Sequence, residues 1–124
     1  MYSPRLLDHF QNPRNVGELP PPAVAVDAVN PACGDMLRLA ARFEDGRIAE
    51  VRYKTRGCTA SIAAGSALTE LLLGRTRAEA GQLKAADIEA ALGGLIPESK
   101  HAAVLCVDAV RALLKASHNP AHLR

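Results

Sequence analysis

The chain has 124 residues, with 15 basic and 13 acidic side chains for a formal charge of +2, and is 48% hydrophobic. This suits one globular domain, 1–124, long enough to bury its own core. Charges are interspersed and aromatics make up only 3%, so no nucleic-acid partner is expected: neither a basic stripe nor a stacking platform is present. No run of eighteen apolar residues occurs, so no membrane partner is expected, and without a long apolar segment after the N-terminus the expected compartment is cytoplasmic.

In chain order, Ser3-Pro4 reads as a helix start, with Ser as cap and Pro at the first position. Tyr2, Leu6 and Phe10 share a stripe that is too short to stand alone, so this helix has to dock on something. Asn12-Pro13 stops it, and the Pro-rich stretch to Pro22 is loop. Ala23 to Asn30 reads as a strand, Pro31 to Gly34 as a turn, and Met36 to Phe43 as a second strand with Leu37, Leu39, Ala41 and Phe43 on one face.

Asp45-Gly46 marks a hairpin. A two-residue loop there would put Leu39 opposite Arg52 and mix the faces. A three-residue loop, Glu44 to Gly46, puts Leu39 opposite Val51 and Leu37 opposite Tyr53, and is therefore expected.

From Cys58 onward the pattern is helical. Ala64, Ala67, Leu68, Leu71 and Leu72 form a stripe that ends at Gly74. Thr76 to Glu79 is a capping box. Asp87 to Leu92 forms a short helix, and Pro97 and Ser99 open a long one to about Ala116 with Ala102, Cys106, Ala109 and Leu113 on one side. His118 to Arg124 is expected to fray. Strands first and helices after predict an α+β fold: an antiparallel sheet packed on one face by helices, with a long C-terminal helix.

Three cysteines are an odd number, which in an intracellular chain points to metal or sulfur chemistry rather than a disulfide framework. Cys33 falls on the turn between strands, and Gly34 lets that turn fold tightly. Asp35 is two residues on, on the same face if the segment is extended. Cys58 precedes a helix, whose N-terminus favours a thiolate. His101 falls in the first turn of the long helix. Thiolate, carboxylate and imidazole are the ligand types of zinc and of iron–sulfur clusters. Spacing alone leaves other readings open: each Cys as a small buried hydrophobe, Asp35 as a turn residue, His101 as a solvated helix-start side chain.

Four longer motifs extend the pattern. They are His9-Phe10-Gln11-Asn12-Pro13-Arg14-Asn15-Val16-Gly17, Asn30-Pro31-Ala32-Cys33-Gly34-Asp35, Tyr53-Lys54-Thr55-Arg56-Gly57-Cys58-Thr59-Ala60-Ser61-Ile62-Ala63, and Leu92-Gly93-Gly94-Leu95-Ile96-Pro97. Together they resemble the IscU/NifU-type scaffolds of iron–sulfur cluster assembly over nearly the whole chain. The resemblance implies a three-stranded antiparallel sheet packed with helices. It implies Cys33, Asp35, Cys58 and His101 as ligands of an iron–sulfur (2Fe-2S) cluster or zinc. It further implies a scaffold without turnover of its own, given sulfur by a cysteine desulfurase and passing clusters to apo iron–sulfur acceptor proteins.

Two departures stand out. The family's third cysteine follows the site histidine, and here that position is Ala102. Cys106 is one turn further on, ~6 Å along the helix axis, too far for a rigid exchange, and it belongs to an apolar stripe. Cys33, Asp35, Cys58 and His101 still make four ligands, enough for tetrahedral zinc or for two ligands per iron of a two-iron cluster. The family's Leu-Pro-Pro-Val-Lys stretch is here Leu95-Ile96-Pro97-Glu98-Ser99, which argues against Hsp70-type chaperone delivery through it. Ala102 also opens an alternative: a zinc-binding accessory protein of the assembly machinery that builds no clusters itself.

Overall fold

The structure, a computed structural model, describes residues 2–32 and 34–117. Cys33 and the segment from His118, for which fraying is expected, lie outside the described residues. The order is α1 (Pro4–Gln11), β1 (Val24–Val29), β2 (Met36–Glu44), β3 (Arg47–Arg56), α2 (Thr59–Leu72), α3 (Arg77–Gly81), α4 (Ala85–Ala91), a 3₁₀ turn (Pro97–Ser99) and α5 (Lys100–Ala116). The sheet is antiparallel with β2 in the middle. Helix α5 lies over β1 and β2, and α2 lies over β3.

The hairpin joining β2 and β3 differs from expectation. Leu39 pairs with Tyr53, Leu37 with Thr55 and Ala41 with Val51. The loop has two residues, Asp45 and Gly46, both left-handed with φ of 53° and 78°, a turn whose twist suits flanking strands. Parity is restored elsewhere: Arg42 faces Glu50 while Phe43 faces Ile48, so Ala49 is the extra residue of a bulge. The single apolar face therefore stands, and from Met36 to Arg42 each residue's partner lies two positions from the one expected. On the other face Arg38 is bidentate to Asp27 at 2.8 and 3.0 Å, directly across from it in register. Such exposed pairs contribute under about 1 kcal/mol each.

Helix α2 is buried on more than one stripe, with Ser61, Ser66 and Thr69 sealed among its alanines and leucines. On the sheet side Gly65 makes room for Tyr53, since a Cβ there would come within 2.4 Å of the ring. The Tyr53 hydroxyl donates to the Ile62 carbonyl at 2.7 Å. Helix α2 also receives α1. Ser66 Oγ accepts from the Arg14 N–H at 2.9 Å and meets His9 Nδ1 at 2.7 Å, and Asn15 donates to Thr69 Oγ1 at 3.0 Å. Buried polar groups need such partners, and here they pin the N-terminal segment in place. Desolvation and then the Arg14 charge hold His9 below its ordinary value, against the opposing pull of Glu70.

The outer edge of β3 is covered at both ends. Gly17 donates to the Tyr53 carbonyl and the Tyr53 N–H donates to Asn15, while Ile48 donates to Arg75 and accepts from Gly74. A bare strand edge would invite pairing with another chain. The capping box of α3 forms as expected between Thr76 and Glu79. Helix α4 begins two residues earlier than expected, because the Asp87 carboxylate accepts the Lys84 N–H at 2.9 Å.

Candidate metal centre

Asp35, Cys58 and His101 come from three separate element ends that meet at one end of the sheet. Asp35 immediately precedes β2, on a connection closed by Asn30: its N–H donates to the Asp35 carbonyl at 2.8 Å and its carbonyl accepts from Gly34 at 2.7 Å. Its side chain accepts the Ala32 N–H at 2.9 Å. Gly34 takes φ of +79°, a conformation open to glycine at no steric cost. Cys58 is the N-cap residue of α2 and spends no side-chain bond on capping. His101 lies in the first turn of α5. Two helix N-termini thus face the site, which favours anionic ligands there.

One ligand atom from each of the three residues lies within 4.8 Å of the other two. His101 Nε2 is 3.4 Å from Asp35 Oδ2 and 3.8 Å from Cys58 Sγ. A tetrahedral zinc with bonds of about 2.3 Å to sulfur and about 2.0–2.1 Å to nitrogen and oxygen would set its nitrogen and oxygen about 3.4 Å apart, and its sulfur and nitrogen about 3.6 Å apart. The donor set and both spacings fit such an ion. Among the described residues this is the one group of three or more His, Cys, Asp and Glu side chains so close. Cys33, expected as the fourth ligand, lies outside the described residues.

Asp35 is buried at 8% exposure, while His101 keeps a side-chain exposure of 30% and Cys58 is half-buried. The site is therefore reachable from solvent with its carboxylate deepest. Desolvation pushes the Asp35 carboxyl upward. Hydrogen bonds from Ser61, from the thiol and backbone of Cys58 and from His101 outweigh it, so the carboxyl sits below its ordinary value. An ionised carboxylate is the form that ligates.

Ala102 and Cys106 fall where the helical stripe placed them, in the core at 1% exposure each. Burial pushes the Cys106 thiol up to about 12. Sequence reasoning passed over Ser61, whose hydroxyl donates to Asp35 Oδ2 at 2.6 Å and lies 3.4 Å from Cys58 Sγ. The signal that would have found it is a polar side chain three residues past Cys58 in an alanine-rich helix, since a buried hydroxyl needs a partner.

Sheet order, helix placement and the Asp35–Cys58–His101 cluster define a small α+β domain with a candidate metal-binding end. Comparison with known proteins places it further. The family described as "NifU-like N terminal domain" matches residues 1–119, and the chain belongs to that family. It is 42% identical over 118 residues to the iron-sulfur cluster assembly scaffold protein IscU of Azotobacter vinelandii, covering 92% of this chain and 91% of that protein. It is 49% identical over 111 residues to the bifunctional protein NifU/MnmA of Rubrobacter xylanophilus, covering 88% of this chain but only 23% of that protein's length. The crystal structure of FiSufU from Fervidobacterium islandicum AW-1 shares the fold, with a TM-score of 0.74 at 20% identity over 91% of this chain and 96% of that one. No described helix is long and apolar enough to cross a membrane.

Proposed function

We propose that this chain, acting as a single domain, is a scaffold for iron–sulfur cluster assembly and not an enzyme. Iron and sulfide are its cargo, and Cys33, Asp35, Cys58 and His101 are the ligands of the iron. The observation that carries this reading is the convergence of Asp35, Cys58 and His101 within 4.8 Å, in a chain that is 42% identical to a scaffold over nearly its whole length. A cysteine desulfurase supplies the sulfur, and apo iron–sulfur proteins receive the product. With Cys33 the set is two thiolates, one carboxylate and one imidazole. That gives two ligands to each iron of a [2Fe–2S] unit, or four to a zinc ion.

Anaerobic reconstitution with ferrous iron, cysteine, a desulfurase and a dithiol reductant, which brings the persulfide sulfur to sulfide, tests it. Visible charge-transfer absorbance is expected, and it is expected to be lost in Cys33→Ser and Cys58→Ser. A colourless product that retains zinc alone would contradict scaffold activity.

One observation favours a second reading. Ala102 stands beside His101 where the resemblance calls for a thiol, so the chain has one soft ligand fewer. In that reading it is a zinc-binding accessory protein that docks on the assembly machinery. Ala102→Cys would then confer cluster assembly that the parent lacks; assembly and transfer by the parent would end this alternative.

A further inference from the structure

The Asp35 carboxylate is held by a hydroxyl that is not itself a ligand and lies in a space that a glycine leaves open. Ser61 is the third residue of α2, is 3% exposed, and donates to Oδ2 at 2.6 Å. Beside it is Gly57, where a Cβ would come within 2.7 Å of Asp35 Cγ and 2.9 Å of Oδ2. The carboxylate thus occupies the space that a side chain at residue 57 would fill. Ser61 also touches Cys58 Sγ at 3.4 Å, so a single hydroxyl contacts two of the four ligands.

Capping does not account for Ser61, since the N-cap position belongs to Cys58. A serine early in a helix can instead bond back to the preceding turn, yet this hydroxyl reaches across to another element. A carboxylate oxygen that accepts one hydrogen bond keeps a lone pair for a cation. The contact with Ser61 therefore orients Asp35 without blocking it.

We propose that Ser61 is a positioning residue which, together with the space left by Gly57, seats the Asp35 carboxylate in its ligating pose and so sets the site's affinity for a divalent metal. This rests on the reading of Asp35 as a ligand. Groups that orient metal ligands in this way typically change affinity about 10- to 100-fold when removed.

The test is a double-mutant cycle on zinc affinity, measured on the full chain by competition with a chromophoric chelator. The proteins are the parent, Ser61→Ala, Asp35→Asn and the double variant. Ser61→Ala is expected to weaken zinc binding about 10- to 100-fold. Added to Asp35→Asn, it is expected to cause less than about a twofold further change, because no carboxylate remains to position. The cobalt-loaded Ser61→Ala protein is expected to keep its thiolate charge-transfer band, with both sulfurs still bound. Gly57→Ala crowds the same carboxylate and is expected to weaken zinc binding in the parent background as well.

An equal loss from Ser61→Ala in both backgrounds would overturn the proposal, because Ser61 would then act through the fold or through Cys58. Full affinity in Ser61→Ala alongside weak binding in Asp35→Asn would overturn the positioning role and leave the ligand set intact. Unchanged affinity and an unchanged cobalt spectrum in Asp35→Asn would instead defeat the ligand assignment.

Discussion

Cys58 and Cys106 each belong to a helix that packs on the sheet, and their surroundings are opposite. Cys58 caps the start of α2, is half-buried, and has an imidazole, a carboxylate and a hydroxyl around it. Cys106 lies in the second turn of α5, is 1% exposed, and belongs to a cluster of Leu, Ala, Val and Tyr side chains. At an element end, polar side chains from several segments can meet with water at hand. In mid-helix, on the face turned to the sheet, an apolar environment makes a thiolate costly, and the thiol is pushed up to about 12. The same atom is thus available for chemistry in one place and serves as core packing in the other.

Metal affinity should show the contrast most strongly. Cys58→Ser is expected to lower zinc affinity by more than about 100-fold, since it removes a soft ligand. Cys106→Ala is expected to leave it within about twofold while costing about 1–2 kcal/mol of unfolding free energy for the lost core packing. Zinc competition and urea unfolding on both variants check this. Loss of affinity in Cys106→Ala would erase the distinction.

Reactivity should show it next. A thiol with a pKa of about 12 has about one molecule in ten thousand ionised at pH 8, and Cys106 is sealed as well. Iodoacetamide on metal-free native protein is expected to label Cys58 while Cys106 stays unmodified until urea is added, as followed by peptide mass spectrometry. Equal labelling rates would mean that α5 opens readily.

The smallest effect belongs to a third region, the His9–Ser66 contact. The folded state holds His9 below its ordinary 6.5, by burial and the Arg14 charge, so the neutral form is favoured. The unfolded chain then takes up a proton first as pH falls. Stability from this group is complete above the unfolded value and declines as pH drops through 6.5 toward the lower folded value. His9→Gln is expected to flatten that part of the urea-midpoint profile against pH, and an unchanged slope would assign it to other groups.

Much of this was legible in the sequence, for identifiable reasons. Alternation in Met36 to Phe43 settled which face of β2 is buried, because parity alone decides that. It did not settle the register, because nothing about Ala49 marks it as the bulged residue that allows a two-residue turn. Periodicity found one stripe of α2 but undercounted its burial: serine and threonine read as surface, and here Ser66 and Thr69 hold the N-terminal segment. At the site, ligand chemistry singled out Asp35, Cys58 and His101, which the fold brings together. Ser61 escaped notice because its role depends on a carboxylate 26 positions away.

The most direct measurement is X-ray absorption at the zinc edge of the zinc-loaded protein. Two sulfurs at about 2.3 Å and two nitrogen or oxygen atoms at about 2.0 Å are expected, from Cys33, Cys58, Asp35 and His101. A shell without sulfur would contradict a centre built on Cys58. A shell of three sulfurs, which needs every cysteine in the chain, would show that Cys106 leaves the core to bind and that the two thiols are not different after all.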